Sequence, residues 1–234
     1  MTIRTIGVVV PAHDEEALIA RCIRSIDAAA AAIAATVPRV DVFVVCDACT
    51  DRTVDIVQAM GHTALLCDAR NVGKARAIGA AQALERGADW LAFTDADTTV
   101  CRDWLAAQVA LQSDVVCGTV GVDDWDIYGD AMRHHFEQTY TDADGHRHVH
   151  GANLGISARA YLGVGGFEDL ANSEDVAIVG ALEAAGARIA WSAAPRVTTS
   201  ARATFRATGG FGATLAQVAA AAGMLLNPAD GIAS

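Results

Sequence analysis

From the amino end, the chain alternates short, wholly apolar runs with longer stretches of helical spacing. Ile6–Val10 ("IGVVV") is apolar at every position and stops at Pro11. A long alanine-rich segment from Glu15 to Ala35 follows and reads as a helix. The next apolar runs are Val42–Cys46, Thr63–Cys67, Trp90–Thr94 and Asp114–Val120. Helical patterns over Thr53–Met60, Lys74–Glu85 and Trp104–Gln112 separate them. The pattern predicts strands for the first kind of segment and helices for the second.

Strands that are apolar on both faces and alternate with helices imply an α/β fold, a mostly parallel central sheet between helix layers. Ligands of such sheets sit beyond the carboxyl ends of the strands. The polar residues that matter should therefore fall just after each apolar run. After Val120 the alternation breaks into a polar stretch rich in His and acidic residues, with a helix expected over Ile127–Gln138 and a loop over Thr141–His150. There is no internal repeat and no Pro/Ser-rich linker, so residues 1–234 read as one domain, a nucleotide-binding half over about 1–120 and an acceptor half over about 121–234.

Composition narrows the partners. A formal charge of −11 argues against nucleic acid or an anionic membrane surface, and an anionic ligand needs a metal ion or local Arg and Lys to offset it. With 53% hydrophobic and 19% charged residues, the chain can build a full core. The opening apolar run is too short for a secretory signal. No segment reaches the ~20 apolar residues of a membrane span. "GATLAQVAAAAGMLL", near the end, reads as a terminal helix lying on the body of the protein. Six scattered cysteines without a signal read as free thiols in a reducing cytoplasm.

The chemistry-bearing residues do cluster after the apolar runs. "TDADT" carries Asp95 and Asp97. In an extended segment, positions i and i+2 face the same way, so both carboxylates can meet one hard cation such as Mg2+ or Mn2+. After the second run, Asp47 stands where a carboxylate can accept from a base N–H or a ribose hydroxyl. Asp51, just before a helix, can equally be an N-cap. The same stretch holds Cys46 and Cys49 at C-x-x-C spacing. After the third run, "RNVGKARAIGA" puts Gly73, Lys74 and Arg76 at a helix start, which favours anions. It lacks the Walker A pattern, and no G-x-G-x-x-G follows the first run. Glu174 and Asp175 open an apolar helical pattern and can be a helix start or a general base. His146, His148 and His150 alternate in a polar loop; they are either uncommitted surface residues or include a metal ligand, for which His150 is the candidate. Arg202 and Arg206 lie in a Gly- and Thr-rich segment able to fold over phosphates.

Taken together, these stretches resemble the family 2 glycosyltransferases, nucleotide-sugar-dependent enzymes of the GT-A fold. "VVVPAHDEE" is similar to their opening P-A-x-N-E-E, "CDACTDRT" to D-D-G-S-T-D-x-T, and "NVGKARAIG" to N-x-G-x-x-x-A-x-N-x-G. "TDADT" matches the D-x-D, "GANLGISARAYLGVGGF" the G-x-N segment leading to G-G-F, and "SEDVAI" the E-D motif. The resemblance runs in order from Ile6 to Trp191. It implies that Pro11, Ala12, Glu15 and Asp47 cradle base and ribose, with Lys74 and Arg76 near the nucleotide. Asp95 would contact ribose or metal, and Asp97 would hold Mg2+ or Mn2+ on the diphosphate. Asp175 would be the base of an inverting transfer, with Glu174 beside it binding acceptor.

The chain departs from that pattern at His13–Asp14, which replace the Asn, and at Cys46, which replaces an Asp. The Q-R-x-R-W signature of processive synthases is absent. The resemblance therefore implies a soluble, non-processive enzyme adding one sugar to a small-molecule or glycan acceptor. Two alternatives stay open: a sugar-nucleotide nucleotidyltransferase, and a catalytically silent binding module on the same fold. "PAHDEEALIARC" lacks the Gly-rich loop and Lys of the former, and a silent module would have lost the D-x-D or E-D carboxylates, which are present.

Overall fold

The computed structural model describes residues 2–123, 125 and 129–200. Strands β1 (Thr5–Ala12), β2 (Arg39–Asp47), β3 (Thr63–Cys67) and β4 (Trp90–Phe93) alternate with helices α1 (Ile19–Ile33), α2 (Thr53–Ala59) and α3 (Val72–Glu85). β5 (Thr98–Val100), α4 (Trp104–Ala110), β6 (Val115–Val122) and α5 (Gly129–Thr139) follow. A 3-10 turn at Gly151–Asn153 then leads into β7 (Leu154–Ser157), α6 (Ala158–Gly163), α7 (Glu174–Ala184) and β8 (Ile189–Thr199). Among the described residues, eight strands form one sheet in the order 3-2-1-4-7-6-8-5.

The alternation of β1 explains the layering. Ile6, Val8 and Val10 face one core with Ile19, Ile23 and Ile26 of α1, while Val9 faces the other with Ala75, Ala80 and Ala83 of α3. Successive side chains of a strand point to opposite faces, so a run apolar at every position fills two cores at once. Two glycines let α3 approach closely: a Cβ on Gly7 would stand 2.4 Å from Ala83 Cβ, and one on Gly79 would stand 2.4 Å from a Val9 methyl. This close seating fixes where the first turn of α3 presents its side chains.

β1 to β4 are mutually parallel in the order 3-2-1-4, so their carboxyl ends open on one edge. β7 enters antiparallel between β4 and β6, and β8 runs parallel to β6 and antiparallel to β5. The sheet is thus mostly parallel with antiparallel insertions the apolar pattern does not reveal.

Pro11 does not stop the first strand, which continues through Ala12 opposite Cys46. Val9 O accepts from Thr94 N, so residues of this parity point toward β4, and β4 has ended before Pro11. The missing N–H of proline therefore costs no ladder bond. Helix α1 starts at Ile19 rather than Glu15, because residues 15–18 form a turn in which Leu18 N and Ile19 N donate to Glu15 O at 3.0 and 2.9 Å. Helix α5 begins at Gly129. No helix among the described residues is long and apolar enough to cross a membrane. The terminal Ala-rich segment lies outside the described residues.

Candidate active site

The loops after β1 and β2 are laced together by acidic side chains. Asp14 Oδ1 accepts from Thr50 N at 2.6 Å and Asp51 N at 3.2 Å, and Asp51 accepts from Glu16 N and Thr53 N at 2.9 Å each. Asp51 therefore fastens the start of α2 from one position ahead of its N-cap, Arg52. Glu15 is buried, and its backbone N–H donates to Thr53 Oγ1 at 2.7 Å. Pro11 is half-buried and Ala12 buried beside these loops.

Asp47, at the tip of β2, is 5% exposed. It accepts from the backbone N–H groups of Ala69 at 2.7 Å, Arg70 at 2.9 Å and Asn71 at 2.9 Å. Burial opposes its ionisation, but these three donors outweigh it and hold the carboxyl below its usual pKa. Much of the carboxylate expected to meet a base or ribose is thus spent on shaping the loop into α3.

That loop sets up the α3 terminus. Asn71 caps the helix by accepting from Lys74 N at 2.9 Å, and its Nδ2 donates to Leu170 O at 2.7 Å. Lys74 Nζ pairs with Asp169 at 3.0 Å across the surface. Arg76, expected near the nucleotide, is instead 3% exposed. Its guanidinium donates to Asp95 Oδ1 at 2.6 Å through one arm and to Glu174 Oε1 through the other. Both arms of this buried guanidinium are thus committed to carboxylates. Burial works against its charge, but Asp95, Glu174 and Asp175 hold it protonated.

Glu174, expected to bind acceptor, is buried at 4% exposure and faces Arg76. The charge of Arg76 compensates a carboxylate that would otherwise be costly to bury. Asp175, the next residue, stays half-buried. Its Oδ2 accepts from Gly151 N and its Oδ1 from Val176 N, each at 2.8 Å.

Asp95 and Asp97 do not lie in an extended segment. Thr98 N donates to Asp95 O at 3.1 Å, closing a turn across the motif. Both carboxylates are half-buried while Ala96 between them is buried. Asp97 Oδ1 accepts from Thr98 Oγ1 at 3.2 Å and from Thr199 Oγ1, at the end of β8, at 3.3 Å. The Asp95 side chain keeps 35% of its surface open. Its pKa is nonetheless raised, by burial first and by the charges of Asp97 and Asp175, against the pull of Arg76. Crowded carboxylates of this kind suit a divalent cation, which takes one or two such oxygens and completes its shell with water and phosphate. The donor set of Asp95 and Asp97 fits Mg2+ or Mn2+.

His150 does not join that set. Its Nε2 meets Tyr140 Oη at 3.1 Å, and burial and the neighbouring His148 push its pKa down to about 4 despite Asp175. Asp14, Cys49 and Asp51 are the one group of three possible ligands within 4.8 Å among the described residues. Asp14 and Asp51 already accept backbone N–H groups, and Cys46 is not in the group. All six cysteines are free, and burial first, then Cys49, pushes the Cys46 thiol up to about 12. The C-x-x-C pair therefore packs as thiols. Arg202 and Arg206 lie outside the described residues.

One residue of the G-x-N motif proves more central than its sequence suggests. Asn153, 1% exposed, accepts from Trp104 Nε1 at 2.9 Å and donates to Thr119 O at 2.8 Å and Pro195 O at 2.7 Å. It fills the register shift between β6 and β8, where Gly118 leaves the space for its amide.

The Glycosyl transferase family 2 model matches residues 7–162, a span that includes most of β1, all of β2 to β4 and the Asp95–Asp97 turn. The chain belongs to glycosyltransferase family 2. Solved structures agree on the fold. S. aureus TarS 1-349 in complex with UDP-GlcNAc is 16% identical with a TM-score of 0.66, the match covering 93% of this chain and 66% of that one. The mannosyltransferase PcManGT from Pyrobaculum calidifontis, in complex with GDP-Man and Mn2+, is 21% identical with a TM-score of 0.64, covering 87% of this chain and 58% of that one. The chain therefore shares the GT-A fold and spans less than two thirds of these proteins. A comparison with curated protein sequences gives no match.

Proposed function

We propose that this glycosyltransferase moves a sugar from a nucleotide-diphosphate sugar to an acceptor hydroxyl, with Mg2+ or Mn2+ at Asp95 and Asp97 and with Asp175 as the base. In that reaction Asp175 takes the proton of the acceptor hydroxyl. The freed oxygen attacks the anomeric carbon, and the bond from that carbon to the diphosphate oxygen breaks with inversion. The bound ion supplies neutralisation of the charge that gathers on the leaving diphosphate. Asp47 and its loop shape the nucleotide pocket, and Lys74 stands at its margin. The complexes of TarS with UDP-GlcNAc and of PcManGT with GDP-Man and Mn2+ support a nucleotide-sugar donor and a divalent ion. The assignment of a cytoplasmic enzyme that acts once per acceptor belongs to the same proposal.

The observation that carries this reading is that Asp95, at the end of β4, and the Glu174–Asp175 pair, 79 positions later, meet around Arg76. Carboxylates gathered there give the acidic chain a place for a cation and, beside it, a proton acceptor. A thermal-shift panel of UDP-, GDP- and dTDP-sugars, with and without Mn2+, tests it, because a preferred donor raises the melting temperature by mass action. One donor class should stabilise the protein, and more so with Mn2+. Stabilisation by none of them would remove the proposal.

A further inference from the structure

We infer that Arg76 is a positioning residue that holds the donor-side carboxylate of Asp95 and the acceptor-side carboxylate of Asp175 in fixed relation, touching neither donor nor acceptor itself. The inference rests on the function proposed above and concerns how its two sides are kept in register.

The guanidinium is a rigid planar fork. One arm bonds Oδ1 of Asp95 at 2.6 Å and so ties that oxygen to the guanidinium. The other arm bonds Glu174, whose side chain is 5% exposed, and so anchors the first turn of α7, where Asp175 is the next residue. The backbone of Gly151 lies against the guanidinium: a Cβ there would stand 2.4 Å from Arg76 Cζ. The same Gly151 donates its N–H to Asp175 Oδ2 at 2.8 Å. Asp175 is therefore located twice through Arg76, once along the chain from Glu174 and once through Gly151. A second glycine closes the assembly, since a Cβ on Gly73 would meet Glu174 Cγ at 3.0 Å. Arg76 Nε finds no partner among the described residues. A group placed for burial alone would more cheaply be an apolar side chain of similar volume.

The test combines two variants, each cutting one arm. Arg76→Lys keeps the positive charge but loses the fork. Glu174→Gln weakens the far arm and leaves every contact of Asp95 in place. Mn2+ binding is followed by electron paramagnetic resonance with UDP, GDP or dTDP present, and thermal melting is recorded beside it. Groups that orient metal ligands typically change metal affinity by about 10- to 100-fold, and a loss in that range is expected for Arg76→Lys. A smaller loss is expected for Glu174→Gln, larger than its own fall in melting temperature accounts for. The Glu174 variant is the complementary probe: Glu174 bonds the other arm of Arg76, so its effect on Asp95 passes through the guanidinium and the first turn of α7. Parental Mn2+ affinity in both variants, or a loss that tracks melting temperature in both, overturns the inference while leaving the proposed function standing. If the parent protein fails to bind Mn2+ in the presence of UDP, of GDP and of dTDP, the proposed function falls and the inference with it.

Discussion

Gly151 donates its backbone N–H to Asp175 Oδ2 at 2.8 Å, and this bond fixes one oxygen of the half-buried carboxylate. Asp175→Asn keeps the size of the side chain and removes its capacity to take a proton. Nucleotide affinity should stay at the parental level while sugar transfer falls by about 10²- to 10⁴-fold, the usual contribution of a general base. Comparing UDP or GDP titrations with product formation separates the two effects. Transfer at the parental rate would assign the base elsewhere.

Asp97 has a different expected signature. Its Oδ1 is held by the hydroxyls of Thr98 and Thr199, outside the buried ion cluster, so truncation should leave the fold intact. Asp97→Ala should abolish the Mn2+-dependent part of nucleotide binding. With EDTA present, parent and variant should bind alike. Calorimetry in the two conditions reads the difference directly.

The loop into α3 depends on the charge of Asp47. Its folded pKa lies below the ordinary 3.8, so its contribution to stability is full above that value and is lost as pH falls through the folded pKa. Asp47→Ala should cost about 3 kcal/mol at pH 7, because backbone donors lose a charged acceptor. The gap between parent and variant should narrow as pH drops below 3.8. Denaturant unfolding at pH 7 and near pH 3 checks both the size and the sign.

Asn153 predicts a stability defect away from the ion cluster. Asn153→Ala strands Trp104 Nε1, Thr119 O and Pro195 O in a dry interior. At about 1–3 kcal/mol for each stranded group, the loss should be several kcal/mol, read as a large fall in melting temperature. A neutral result would mean that water fills the vacated space.

The first four strands were legible because their apolar runs obey a simple rule. A strand buried on both faces, such as Val8–Val10, must be apolar throughout, and the residues after it must be polar. The later strands escaped the same reading. β5 is three residues long, β7 includes Gly155 where the Trp90 and Gln108 side chains leave no room for a Cβ, and β8 carries Pro195 in a register shift. None produces an unbroken run of more than three apolar residues. The site divided along similar lines. Asp95, Asp97 and Asp175 were visible as carboxylates after strands or before a helix. The burial of Arg76 and Glu174 was not, because each looks like a solvated surface residue until its partner arrives from 98 positions away. The motif spacing at Gly73 and Gly151 carried a trace of it, since both glycines make room for that pair.

The strand order has a consequence for synthesis. β4, complete at Phe93, lies between β1 and β7, and β7 does not begin until Leu154. β5, complete at Val100, pairs with Val197–Thr199. A chain leaving the ribosome therefore carries the open edge of β4 while about 60 further residues are made, roughly 3–12 seconds at typical elongation rates of ~5–20 residues per second. Such an edge is a template for pairing with another chain. Yield during expression should accordingly depend more on chaperone supply and growth temperature than the stability of the finished fold would suggest.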